Sequence, residues 1–259
     1  MKNIKIISLV PSITELLVDL GLEENIIGIT KFCIHPKELK ENKIIVGGTK
    51  NINFEKIKKL KPDIILCNKE ENTKKIVESC EKITETHVSD IFTINDTLEL
   101  IKLYGKMFDS INKANKIING IELKLADFQK FNKNKEVKKV AYFIWKKPWM
   151  VAAKNTFINH LLTINKFENI YKNKNRYPEI DINEINIYNP DFIFLSSEPY
   201  PFKEKDLLEI KSVVNKAKVI LVDGEMFSWY GSRLIKAFDY FKELHKEIKF
   251  KNNDSRDNQ

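Results

Sequence analysis

Cysteine is scarce in this chain of 259 residues: Cys33, Cys67 and Cys80 are the three present. They are odd in number and none sits in a CxxC pair, so the sequence encodes neither a disulfide framework nor a thiolate zinc site. Reduced thiols are expected, with one disulfide among the three left open because connectivity does not follow from sequence. Phosphate loops are missing too. No GxGxxG and no GxxxxGK[ST] occurs, which disfavours a nucleotide. No G-x-S-x-G is present, Ser12 has no histidine in a recognisable triad context, and the adjacent Glu70 and Glu71 are not a defined acid–base pair, so no enzyme is expected. None of the four histidines has a second histidine or a cysteine at metal-binding spacing. His87, His160 and His245 read as ordinary helix or loop residues, and no protein-bound metal is expected. No run of about 18 apolar residues exists, so no membrane span is expected. The opening residues, MKNIKIISLVPS, hold a short apolar run without a small-residue cleavage site or a lipid-accepting cysteine, and do not read as a signal peptide or anchor.

Positive charge is in excess, with 44 lysines and arginines against 36 acids and a net charge of +8. The lysines are scattered rather than gathered into an arm or a helix face, which argues against nucleic acid and for solvated lysine-rich surfaces. A basic cleft for a small anionic ligand stays open.

What is present is an internal repeat. IKKLKPDIILC, ending at Cys67, and INIYNPDFIFL, ending at Leu195, each show a helical turn that stops before Pro-Asp and runs into branched and aromatic residues. Pro62 and Pro190 end those turns, because the residue before proline is pushed out of the α region. Ile64 to Leu66 and Phe192 to Leu195 have the continuous apolar character of strands buried on both faces. Upstream, IKIISLV and KKVAYFIW open the two halves as strands, giving strand–helix alternation of the βαβ kind. The fold class is therefore α/β: two Rossmann-like lobes with short parallel sheets, an N-terminal lobe over 1–93 and a C-terminal lobe over 132–250. Residues 94–131 contain no proline and space their apolar residues helically, so they predict one long connecting helix that bends or breaks, if anywhere, near Asn119-Gly120. A polar tail over 251–259 is expected to fray.

In open parallel sheets, ligands sit outside the carboxyl ends of the strands. The residues there are Pro11 and Ser12, Lys31 to His35, Gly47 to Lys50, Asn68 to Glu71, Trp145 to Trp149, Ser196 to Phe202 and Met226 to Arg233. The Pro11-Ser12 turn starts a helix whose free amide groups are expected to face an interlobe cleft.

The succession ISLVPSITELLVDLG, GITKFCIHP and VGGTKNINFEKIKKLKPDIILC resembles the solute-binding proteins of metal-chelate ABC importers, which take cobalamin, ferric siderophores or haem. It is most similar to the cobalamin-binding branch, over residues 4 to 245. The resemblance implies two α/β lobes joined by a long helix that close only slightly on a ligand. It places Pro11, Ser12, Lys31, Phe32, His35, Gly48, Thr49, Lys50, Trp145, Trp149, Phe227, Trp229, Tyr230 and Arg233 around that ligand. It also implies one importer-docking acid per lobe, with Glu55 fitting the first and Glu225 lying nearest the second. Such proteins carry an export signal or lipid anchor. As written the chain reads as cytoplasmic, and as periplasmic or cell-surface if such a signal was removed.

Each candidate has a plainer reading. Tryptophan faces suit a flat macrocycle, yet any one of Trp145, Trp149 and Trp229 serves equally well as packing under a loop; as a set they favour ligand contact. His35 either ligates cobalt or haem iron or caps a turn. Lys31, Lys50, Lys146, Lys147 and Arg176 cluster on rim segments of a lysine-rich chain. Arg233 is the best candidate for direct contact, since a guanidinium at a helix start can hold a carboxylate, phosphate or amide oxygen. Glu70, Glu71 and Glu198 either pair with these cations or lie in solvated loops. The expected function is capture of cobalamin or a related corrinoid for an ABC importer, by a monomer with no permanent cofactor. A ferric-siderophore or haem binder, or a cytoplasmic enzyme or assembly factor on the same fold, is the alternative.

Overall fold

The computed structural model describes residues 4–214 and 216–253. They form two α/β units: the described residues up to Glu122 with Tyr230–Ile235, and those of Leu123–Trp229 with the described residues from Lys236 onward.

In the first unit the chain runs β1 (Ile6–Ser8), α1 (Pro11–Asp19), β2 (Ile26–Thr30), α2 (Leu39–Asn42), β3 (Ile44–Gly47), α3 (Phe54–Leu60), β4 (Ile64–Asn68), α4 (Lys74–Glu81) and β5 (Glu85–Ser89). The strands pair in the order β3-β2-β1-β4-β5, and all four pairings are parallel. Each βαβ crossover puts a helix on a face of the sheet, so the central strands are covered on both sides and lose their polar alternation. Ile7, Leu9, Val46, Ile57, Ile65 and Ile76 meet in the core on one face. The helices start where short polar side chains accept an otherwise unpaired N–H: Asn53 from Lys56 at 3.0 Å and Thr73 from Ile76 at 3.3 Å.

Two helices follow, α5 (Ile94–Met107) and α6 (Ile111–Asn132). The second unit continues with β6 (Lys138–Trp145), β7 (Met150–Val151), α7 (Phe157–Ile164), β8 (Phe167–Asn169), β9 (Phe192–Ser196), α8 (Glu204–Lys211), β10 (Lys218–Val222), α9 (Gly224–Ser228) and α10 (Leu234–Asn253). Its sheet has the order β10-β9-β6-β7, with β8 also pairing β6; only the β6–β7 pairing is antiparallel. Because strand side chains alternate, Phe143 and Leu195 enter one core while Tyr142 and Phe194 enter another. The second of these is aromatic. Phe227 stands 5.2 Å from Tyr142 and 4.8 Å from Phe241, and Phe128 stands 5.8 Å from Phe238, ring centre to ring centre. Lys124 bridges to Asp239 at 2.6 Å and Lys242 pairs with Asp127, joining α6 to α10 within this unit.

The repeated Pro-Asp has the same job in both units. Lys61 and Asn189 end their turns in the left-handed conformation, at φ 48° and 45°, and proline then forbids further helix. Asp63 accepts a hydrogen bond from the backbone N–H of Lys5 at 2.7 Å and returns its own N–H to the Lys5 carbonyl at 2.9 Å. Asp191 does the same with Lys139, at 2.7 Å and 2.9 Å. The motif therefore staples the incoming strand, β4 or β9, to the start of its central neighbour, β1 or β6.

The segment between the lobes differs from expectation. It is two helices, not one over 94–131, and the break falls at Phe108–Ser110 rather than at Asn119-Gly120. A capping box of Thr93 and Asp96 opens α5, Asp109 turns the chain at φ 53°, and Ser110 donates back to the Gly105 carbonyl at 2.7 Å. Gly120 breaks nothing; it seats Ile235, whose Cδ1 would lie 3.0 Å from a Cβ added there. The α6 helix alone has 22 residues, about 33 Å at ~1.5 Å per residue. Among the described residues no helix is long and apolar enough to cross a membrane. Of the tail expected over 251–259, α10 extends to Asn253 and residues 254–259 lie outside the described residues.

At Gly105 the helices α5 and α6 are in close contact, since a Cβ added there would lie 2.5 Å from the Ala114 Cβ. Gly105→Ala is expected to destabilise the protein by about 1 to 3 kcal/mol, the usual range for overpacking a contact that cannot give way. Chemical denaturation checks this, and an unchanged midpoint would contradict the contact.

Candidate functional site

Strands of the first unit deliver their carboxyl-end loops to one edge of its sheet. Helix α1 begins at Pro11, where the lost N–H costs nothing, and Pro11 and Ser12 are both buried. The loop after β2 exposes Phe32, which is 48% accessible, and Lys31 stands 5.0 Å from the centre of that ring. Phe32 closes on Gly48: a Cβ added there would meet its Cε2 at 3.2 Å. His35 is half-buried beside Pro36. Cys33 is enclosed between the Thr14 and Thr30 hydroxyls at 3.1 and 3.3 Å; burial pushes its thiol pKa up and those hydrogen bonds oppose the shift.

Two buried asparagines hold the next loops together: Asn68, which the sequence places at the edge without a role, and Asn72, which lies one residue beyond that segment. The Asn72 side-chain amide donates to the Thr49 carbonyl at 3.1 Å, while its carbonyl oxygen accepts from the Asn68 backbone at 3.0 Å. Asn68 in turn donates to the Ser89 hydroxyl at 3.0 Å and accepts from the Glu70 backbone at 2.8 Å. Lys50 reaches the Glu70 carbonyl at 2.5 Å. Glu71 is half-buried within this frame. Burial raises its pKa, and the Lys50 ammonium and a hydrogen bond with the Thr49 hydroxyl act the other way.

Tyr230 and Arg233, far along the chain, belong to this same unit. The Tyr230 hydroxyl lies 3.3 Å from that of Ser89; burial drives its pKa up, against hydrogen bonds to Ser89 and Ser12. Gly231, at φ 94°, lets the chain pass 3.4 Å from Leu16, measured to the position a Cβ would take. Arg233 is 4% exposed, and its Nε donates to the Glu15 carboxylate at 2.8 Å. The residue expected to be the main ligand contact is thus held in a buried ion pair with α1.

In the second unit the β6 edge exposes Trp145, 39% accessible, with Tyr200 edge-on at 5.6 Å. Trp149 is half-buried and stacks parallel to Phe202 at 6.2 Å. Lys146 is not a free rim cation: it bonds Asp206 at 2.7 Å and Glu209 at 2.5 Å. Despite its burial, Asp206 has a lowered pKa because Lys146 and the Lys203 N–H hold the carboxylate. Glu198 accepts from the Trp229 indole at 2.7 Å and from the Ser228 hydroxyl at 2.8 Å. Trp229 is 6% exposed, and Phe227 is fully enclosed by core aromatics and offers no surface. Lys147 is exposed, whereas Arg176 is half-buried in a loop whose backbone bonds that of Lys154.

Glu55, in the first turn of α3, is exposed, and its hydrogen bond to Lys58 at 2.9 Å lowers its pKa. Glu225 is half-buried in the first turn of α9. Among the described residues no group of three or more His, Cys, Asp or Glu side chains is arranged to hold a metal ion.

The buried pair has a measurable signature. Arg233→Ala leaves the Glu15 charge buried and is expected to cost about 3 to 5 kcal/mol, whereas replacing both residues together, Glu15→Leu with Arg233→Met, is expected to recover most of that loss. Urea denaturation of the two variants checks this, and equal losses in both would contradict a pairwise role.

A family model described as periplasmic binding protein matches residues 6–218. An uncharacterized ABC transporter substrate-binding lipoprotein of Bacillus subtilis is 26% identical over 251 residues, covering 92% of this chain and 79% of the relative. A vitamin B12-binding protein of Vibrio vulnificus is 26% identical over 198 residues, covering 74% of this chain and 71% of the relative. A solved structure from Staphylococcus epidermidis, described as a possible iron-binding (periplasmic solute-binding) protein, superposes with a TM-score of 0.78 at 25% identity, over 94% of this chain and 98% of that one. With two α/β units, each built on a mainly parallel sheet, and a family match over most of its length, the chain belongs to the periplasmic binding protein family.

Proposed function

We propose that this chain is the solute-binding protein of an ABC importer and that it captures a metal chelate, in the first place cobalamin or a related corrinoid. The chelate is the transported ligand rather than a resident cofactor. The observation that carries the reading is the pair of exposed aromatic surfaces at the two carboxyl edges, Phe32 against Gly48 and Trp145 against Tyr200. Large rigid rings give contact area at little entropic cost and suit a broad macrocycle. Main-chain and hydroxyl groups around Ser12, Thr49 and Tyr230 supply the directional hydrogen bonds that an amide-fringed ligand requires. His35 and Lys50 stand at the same edge.

Family resemblance and the relatives' names support an extracytoplasmic site of action and an importer partner. Glu55 and Glu225 are the acids we assign to importer docking; each lies in the first turn of a helix. A ferric siderophore or haem is the second ligand class, favoured by the relative described as iron-binding.

Thermal-shift and absorbance titrations with cyanocobalamin, cobinamide, haem and ferric siderophores test this reading. Cyanocobalamin is expected to raise the melting temperature and quench tryptophan emission, and Trp145→Ala to weaken its binding by about 1 to 3 kcal/mol. Unchanged affinity in that variant would remove Trp145 from the site, and a response to siderophores alone would replace the corrinoid.

Salt separates the two ligand classes. With Arg233 paired to Glu15, corrinoid binding is expected to change little up to ~0.5 M salt, where screening suppresses long-range attraction. A steep loss with salt would favour an anionic chelate.

A further inference from the structure

We propose that Lys146 is a positioning residue for ligand capture: by binding two carboxylates of α8 it fixes the hairpin between β6 and β7 and holds Trp145 ready for the chelate. The inference deepens the ligand reading above and rests on it.

Residues 146–149 link β6 to β7, which run antiparallel with Trp145 opposite Met150. An exposed tryptophan beside a free hairpin tip would be mobile, and a mobile ring must be ordered when a ligand binds, which weakens affinity. Lys146 removes that freedom. Its side chain is 10% exposed, and its ammonium meets the Asp206 carboxylate at 2.7 Å and the Glu209 carboxylate at 2.5 Å. Asp206 is itself fixed: its side chain is 1% exposed and accepts the Lys203 N–H at 2.9 Å at the start of α8. A surface ion pair would hold little. A lysine enclosed against two acids of one helix cannot swing out without stranding a buried charge.

The same ammonium stands 5.4 Å from the centre of the Trp149 ring, within cation–π range. Trp149 stacks on Phe202 at 6.2 Å and meets Phe143 edge-on at 5.6 Å. Phe202 packs against Tyr200 at 4.7 Å, and Tyr200 closes the circuit edge-on to Trp145 at 5.6 Å. Backbone bonds fasten both ends of the hairpin. The Tyr200 N–H donates to the Ile144 carbonyl at 3.3 Å, and the Ile180 N–H donates to the Trp149 carbonyl at 3.0 Å. Trp145 is thus supported from within its own unit while its ring stays exposed.

The free chain supplies the first test. Its three tryptophans give three indole N–H signals in NMR relaxation, with that of Trp145 assigned by its loss in Trp145→Ala. In the wild type the Trp145 indole is expected to be as rigid as the backbone, with an order parameter of ~0.85, and in Lys146→Met to fall below about 0.6. The Trp229 indole, bonded to Glu198 at 2.7 Å, is expected to stay unchanged. Cyanocobalamin titration supplies the second. Lys146→Met is expected to weaken binding about three- to tenfold, and by less than about twofold in a Trp145→Ala background, where no ring remains to be positioned. The double variant Lys146→Met with Asp206→Asn strands no buried charge. It is expected to recover most of the stability in urea and yet to lose the same affinity, and it replaces the single variant if that one fails to fold. A loose Trp145 indole in the wild type, an ordered one in the folded variants, wild-type affinity in the double variant, or an equal loss with and without Trp145 would each overturn the inference while leaving corrinoid capture intact. A wild type that fails to bind cyanocobalamin would instead overturn the ligand reading beneath it, and the indole measurement would still decide whether Lys146 holds Trp145.

Discussion

Removing Arg233 from water would be prohibitive without Glu15. A buried guanidinium is tolerated only against a carboxylate with good geometry, and here Nε meets Oε2 at 2.8 Å with both side chains almost fully enclosed. The pair joins residues 218 positions apart in sequence and draws the segment Tyr230–Ile235 into the first unit. Much of that unit's carboxyl edge follows from it. Gly231 takes its left-handed turn against α1, Tyr230 reaches Ser89, and Ser89 meets the Asn68–Asn72 frame that shapes the loops after β3 and β4. The Pro-Ser turn at the start of α1 is thereby part of a packed scaffold in which Pro11 and Ser12 are both buried.

The edge residues divide into those engaged within their own unit and those left exposed. Arg233, Lys146, Phe227 and Trp229 are engaged: two in ion pairs, one in an aromatic core, one by Glu198. Phe32 and Trp145 are the aromatic side chains that stay open.

The fold was legible because its signals are local. A Pro-Asp that ends a turn, reverses through one left-handed residue and opens a buried strand can be read twice in the sequence, and the reciprocal bonds of Asp63 with Lys5 and of Asp191 with Lys139 give it one physical cause. The start of α1 at Pro11 is equally local. The helix break at Asp109 was harder to read, because helical apolar spacing continues on both sides and a positive φ at aspartate leaves no mark in composition. Side-chain roles at the edge are non-local and were read least well. Arg233 reads as available because nothing in its sequence neighbourhood announces Glu15, the Glu of PSITE, 218 positions away. Asn68 and Asn72 bracket KEE in a polar stretch, where a buried asparagine and a solvated one look the same.

Ligand contact at the carboxyl edges, the central proposal, is tested most directly by hydrogen exchange on the intact chain with and without cyanocobalamin. Protection is expected to rise in the loops holding Phe32, Gly48 to Lys50, Glu70 to Asn72 and Trp145, with the strands β4 and β9 unchanged because their amides are already bonded within the sheets. Binding without added protection in those loops, or with protection confined to surfaces away from both carboxyl edges, would contradict it.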